Sequence, residues 1–144
     1  MYNDNLDLDD FEPGYAEPLS ARELAHNVKA ALDAGNSKEA WRWMMQLLDD
    51  FRSCVARGEM PPIAERPEII GDQRYDAAIA ALVEHLCASA SMAIPRWTGE
   101  PERFCEPWWF VAELPGYRWS ALRDSPISFK RHGVFITKRG LDRV

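Results

Sequence analysis

The chain is 144 residues long, with 47% hydrophobic and 28% charged residues and a formal net charge of −6. That is one domain's worth of chain with enough apolar content to bury a core, which excludes a disordered or low-complexity protein. No apolar run approaches the roughly 18–20 residues of a membrane-spanning helix. The opening MYNDNLDLDD lacks the basic, then apolar, layout of a signal peptide, so a cytoplasmic location is expected. Cys54, Cys87 and Cys105 are odd in number and widely spaced, which favours three reduced, buried thiols over a disulfide framework.

The charge is unevenly distributed. The first 17 residues hold Asp4, Asp7, Asp9, Asp10, Glu12 and Glu17 with no lysine or arginine, so the remaining 17 acids and 17 bases cancel. From Arg118 to Val144 seven bases face only Asp124 and Asp142. The molecule is bipolar, with an acidic start and a basic end.

Residues 1–18 carry Pro13, Gly14 and Pro18 without periodicity and read as a flexible acidic arm, leaving 19–144 as a single helical domain. Ser20-Ala-Arg-Glu23 has the form of a capping box, and Leu24, Val28, Ala31 and Leu32 follow at helical spacing to Gly35-Asn36. This predicts a first helix over about 20–34. With Ser37 as its cap, a second helix carries Trp41, Met44, Leu48, Phe51 and Val55 at steps of three and four, widened by Ala40, Leu47 and Cys54, and ends at Gly58. The short connection predicts an antiparallel hairpin.

Pro61, Pro62 and Pro67 make 60–70 a linker or an extended strap. A third helix opens at Gly71-Asp72 and runs to about Ala90, with Tyr75, Ile79, Leu82 and Leu86 as its apolar stripe. Residues 97–119 hold seven aromatics broken by Pro101, Pro107 and Pro115, which predicts short helical turns and extended pieces. Ser125-Pro126 starts a short helix, serine as cap and proline at the first position, that Gly133 closes. A short strand is expected near 134–136, then a last turn from Thr137 or Lys138. The expected fold is mainly α: a compact bundle of three longer helices with short C-terminal helices.

Catalytic and metal-binding patterns are missing from the sequence. Glu84-His85-x-Cys87 places its groups one and two residues apart on a helix, pointing in different directions, so His85 is read as lying on the polar side. His26 reads as solvated, and His132 as a group near a helix C-terminus, where capping is favoured. Asp49-Asp50 diverge on the second helix and read as a solvated face. No P-loop, GxGxxG, GxSxG or HExxH is present. No catalytic residue, metal or cofactor is therefore assigned. Trp41 is expected in the core. Trp108-Trp109-Phe110 is either buried on both sides or forms part of a contact surface, because three successive residues cannot face one way.

From Glu100 onward the chain has a recognisable pattern. Pro101-Glu-Arg-Phe104, Pro107-Trp-Trp-Phe-Val111, Ala121-Leu122, Ser125-Pro126, Phe129-Lys-Arg-His-Gly-Val-Phe-Ile136 and Leu141-Asp-Arg-Val144 resemble the C-terminal helical region of actinobacterial regulators in which an Xre-type helix-turn-helix comes first. Gly71–Asp76 and Ala81–Leu86 are similar to the same family. The resemblance implies an antitoxin-like or regulatory role, exercised on a protein partner such as a nucleotidyltransferase-like toxin. Where the regulators carry their helix-turn-helix, this chain has only the acidic arm, and its pI of about 5.1 is low for phosphate binding.

On this reading Asp7, Asp9, Asp10, Trp108, Trp109 and Phe110 form the partner-binding set. A homodimer is compatible with it. The arm either masks a basic surface on the partner, solubilises the chain, or folds back on the basic C-terminus. The alternative is a nucleic-acid-associated module using Arg118, Arg123, Lys130, Arg131, Lys138 and Arg139.

Overall fold

The computed structural model describes residues 17–112 and 116–141, with Lys138 and Arg139 described by backbone alone. The acidic residues from Asp4 to Glu12 lie outside the described part. Helix α1 (Ala21–Asp33) begins where the capping box predicts: Glu23 N–H donates to Ser20 Oγ and Ser20 N–H to Glu23 Oε1, each at 3.0 Å. Its buried residues, Ala21, Leu24, Ala25, Val28 and Ala31, form one stripe. Gly35, at φ +73°, turns the chain into α2 (Ser37–Ala56), which packs along α1 as a helical hairpin. Asn36, not Ser37, is the N-cap, and its side chain accepts from Glu39 N–H. A carboxamide oxygen at this position reaches the first-turn donor, so Ser37 becomes the first helical residue.

The segment after α2 is an extended strap, pinned at three points. Ala21 N–H bonds Pro62 O at 3.1 Å, Trp97 Nε1–H bonds Ile63 O at 3.1 Å, and Arg103 Nη2 bonds Pro67 O at 2.7 Å. Helix α3 (Gln73–Ser89) is capped by Asp72 and forms the central post. The expectation of one apolar stripe with a polar opposite side is corrected here. Every residue from Tyr75 to Glu84 is buried, because Ala77, Ala78, Ala80 and Ala81 let neighbours close on the remaining sides. His85 accordingly sits half-buried, edge to face with Phe129 at 5.9 Å between ring centroids.

Two 3₁₀ turns (Arg96–Gly99 and Pro101–Arg103) lead to β1 (Trp109–Phe110), which pairs in parallel with β2 (Val134–Phe135). Between the strands lie α4 (Tyr117–Asp124) and α5 (Ile127–Arg131), and α6 (Lys138–Leu141) follows β2. Ser125 does not cap α5 as expected. Its hydroxyl bonds Ala121 O, contacts Ile136 O at 2.8 Å and accepts from Ile136 N–H at 2.9 Å, so it ties α4 to the chain after β2. The fold is mainly helical, and no helix among the described residues is long and apolar enough to cross a membrane.

Candidate interaction surface

The C-terminal third rests on α3 through a buried polar network that sequence reasoning missed. His132, expected as a simple cap, is fully buried at the C-terminal end of α5. Its Nε2 lies 2.7 Å from Glu84 Oε1, and its Nδ1 faces the carbonyl of Arg103. A carbonyl only accepts, so Nδ1 is the donor in its contact with Arg103. Arg131 Nη1 takes the other Glu84 oxygen at 2.8 Å, and Phe104 stacks on the imidazole at 4.4 Å. Cys105 N–H donates to His132 O at 2.8 Å. Gly133, at φ +78°, passes so close to Cys105 that a Cβ would stand 2.3 Å from its carbonyl oxygen.

A second buried node lies about two turns towards the N-terminus of α3, at Asp76. Arg103 is wholly buried over the Trp97 ring, 4.9 Å from guanidinium carbon to centroid. It bonds Glu100 at 3.2 Å, but its Nη1 stops 3.8 Å from Asp76 Oδ1 and makes no hydrogen bond. Asp76 instead accepts from the N–H groups of Ile70 and Gly71 at 2.9 and 3.1 Å. Burial pushes the Asp76 carboxyl above its ordinary range, and burial likewise lowers Arg103. Both directions say that desolvation outweighs the attraction across a gap too long for a good pair. These groups are spent on one another and on the backbone, and they hold the strap, α3 and α5 in register.

An open groove of about 930 Å³ lies between α1 and the strap. Part of its polar lining is engaged: Arg22 pairs with Glu65 at 3.2 Å, and Ser20 with Glu23 forms the capping box. Size alone gives it no chemistry.

The expected partner-binding aromatics separate. Trp109 is half-buried against Tyr75 (5.2 Å) and Trp41 (6.3 Å), Trp41 being half-buried too. Phe110 is buried in a satellite cluster with Ala121 and Phe135. Only Trp108 stands out, 59% exposed and 4.8 Å from Phe135. Asp7, Asp9 and Asp10 lie outside the described residues.

The large exposed apolar groups of this region that sequence reasoning passed over are on α4 and α5. Trp119 is 78%, Ile127 72% and Leu122 40% exposed. Helical spacing explains this: Tyr117, Ala121 and Asp124 turn inward at steps of four and three, which leaves Trp119 and Leu122 outward. That periodicity was available in the sequence, but Pro115 and the aromatic run hid the helix. Four bases of this segment have contacts of their own. Arg118 lies over the Phe110 ring at 4.6 Å. Arg123 pairs with Asp124 at 3.0 Å, Lys130 Nζ reaches Arg123 O at 3.4 Å, and Arg131 is held by Glu84. Lys138 and Arg139 fall in α6, their side chains outside the description. Trp119, Leu122 and Ile127 are thus exposed apolar groups on two short helices that the Lys130–Arg123 contact joins, and the buried network ties α5 to α3. Compared with protein-family models, curated proteins and solved structures, the chain matches none.

Proposed function

We propose that this chain is a non-enzymatic, antitoxin-like or regulatory protein that acts by binding a protein partner through the α4–α5 face. One observation carries the reading: Trp119 and Ile127 hold most of their surface in water on two short helices of the C-terminal third. Tryptophan and arginine are the residues that dominate binding energy at interfaces. Covering one such ring removes on the order of 200 Å² from water, worth several kcal/mol before the costs of association. The partner class is suggested by the family resemblance, which covers about residues 20–144: a nucleotidyltransferase-like toxin encoded beside the chain.

The nucleic-acid alternative has less support from the same residues. Arg131 is committed to Glu84, and Arg123 makes two contacts with Asp124. Co-expression with the protein of the adjacent reading frame tests the proposal. The two are expected to co-purify, and W119A/I127S to lower the recovered partner at least tenfold without changing the chain's own yield. Failure of the intact pair to associate overturns the toxin assignment.

A further inference from the structure

The groove between α1 and the strap combines an unbalanced charge with a length of unpaired backbone. Its arginine and lysine are spent: Arg22 pairs with Glu65 at 3.2 Å, and Lys29 with Asp33, which lies off the groove, at 3.0 Å. Glu17, Glu23 and Glu68 line the same groove and form no ion pair among the described residues. Arg66, the base nearest Glu68 in the chain, is held by Glu100. We propose that this groove binds an extended basic peptide segment of a protein partner, one in which lysine or arginine alternates with apolar residues. It is a second contact surface, independent of the α4–α5 face.

Three observations favour a peptide of that kind. The first is charge: carboxylates left without a cation attract a basic segment and repel an acidic one. The second is the strap itself. Glu65, Glu68 and Ile69 line the groove, and their backbone N–H and C=O groups make no hydrogen bond among the described residues. The groups on either side of Glu68 and Ile69 are fixed, Pro67 O by Arg103 and Ile70 N–H by Asp76. Extended backbone that is held still and left unpaired is a template onto which a peptide adds its own main-chain hydrogen bonds. A polyamine or a metal ion would use the carboxylates alone and leave that edge bare. The third is apolar contact. Met60 lines the groove and is 77% exposed, with Pro62 and Ile69 in the same lining. A thioether on a flexible stem adapts to the side chains laid against it. The groove's volume of about 930 Å³ admits several of them.

The test uses the full chain and a fluorescein-labelled peptide of sequence KVRLKV, with EVELEV and KSRSKS as comparisons. KVRLKV is expected to bind with a Kd on the order of 10 µM, and EVELEV not to bind. KSRSKS keeps the charges without the apolar contacts and should bind about tenfold more weakly. E68K should weaken KVRLKV about tenfold and M60S should weaken it less, both with wild-type melts, while W119A/I127S leaves it unchanged. Amide shifts caused by the peptide should centre on residues 22–29 and 65–70. The acidic N-terminus competes for any basic peptide, so D4N/D7N/D9N/D10N is the control, and its affinity should stay within about twofold of the parent chain. Absence of KVRLKV binding, equal binding of KSRSKS, shifts centred elsewhere, or loss in the aspartate variant without loss in E68K overturns the proposal. Self-association that E68K and M60S abolish would place a second copy in the groove and equally refute it. If the groove fails while W119A/I127S still loses the partner, only this inference falls and the proposed function stands.

Discussion

Replacing Arg103 with methionine tests whether the buried nodes hold the strap on α3. Arg103 is fully buried, donates to Pro67 O at 2.7 Å and covers the Trp97 ring. R103M leaves a buried carbonyl without its donor, which costs about 1–3 kcal/mol, and removes a desolvated cation–ring contact worth about 2 kcal/mol. It also strips the nearest cation from Asp76, 2% exposed. Relief of the guanidinium's own desolvation offsets part of this, because Asp76 was never well paired. A net loss of about 3 kcal/mol is expected, in line with removing one member of a buried pair. For a chain of this length that is a fall in Tm of roughly 6–12 °C.

The loss has a pH signature. The Asp76 carboxyl titrates above 3.8 in the folded chain, so its contribution to stability is full below that value and is lost as pH rises through the folded one. Arg103 is among the influences that hold the carboxyl down, so R103M raises it further. The deficit should therefore grow as pH rises from about 4 through the raised folded value. Urea unfolding followed by circular dichroism reads both quantities. D76N/R103M should recover little over R103M, since the amide needs no cation but its one oxygen accepts from only one of the Ile70 and Gly71 N–H groups and its NH2 is turned on the other. A deficit below about 1 kcal/mol, or one that is flat with pH, refutes the reasoning.

Other expectations are simpler. G133A forces a left-handed conformation on alanine and drives its Cβ into Cys105 O; a loss of about 3 kcal/mol is expected in thermal melts, and a wild-type melt contradicts the close approach. S20A removes one half of the capping box and should cost about 1 kcal/mol in urea unfolding, with no change if α1 is held by packing alone. Cys54, Cys87 and Cys105 are buried, and burial pushes Cys87 up to about 11. Native protein should resist a disulfide reagent near neutral pH and react fully in denaturant, so rapid native labelling of any of the three speaks against the core described.

The three long helices were legible because their signals are local. Capping residues, the helix-closing Gly35 and Gly58 and the stripes of α1 and α2 all lie within a few residues of one another. The errors arose where distant partners decide. Alanines 77, 78, 80 and 81 read as spacers until the neighbours that close on them are known. His132 is paired with Glu84, 48 residues away, and Ser125 with Ile136 through two backbone groups. A β1–β2 ladder of two residues each has too little sequence to announce itself, so only its second strand was foreseen. The exposed face was half legible. The basic C-terminus and the aromatic run drew attention to the right third of the chain, but to Trp109 and Phe110, which are packed, and not to Trp119 and Ile127.

Placing a photoreactive benzophenone at Trp119 in living cells, with Val55 on α2 as the comparison position, tests the contact surface most directly. A discrete protein adduct that forms from position 119 and not from position 55 is the expected result. No adduct at 119, equal adducts from both positions, or cross-links to nucleic acid alone would contradict the account.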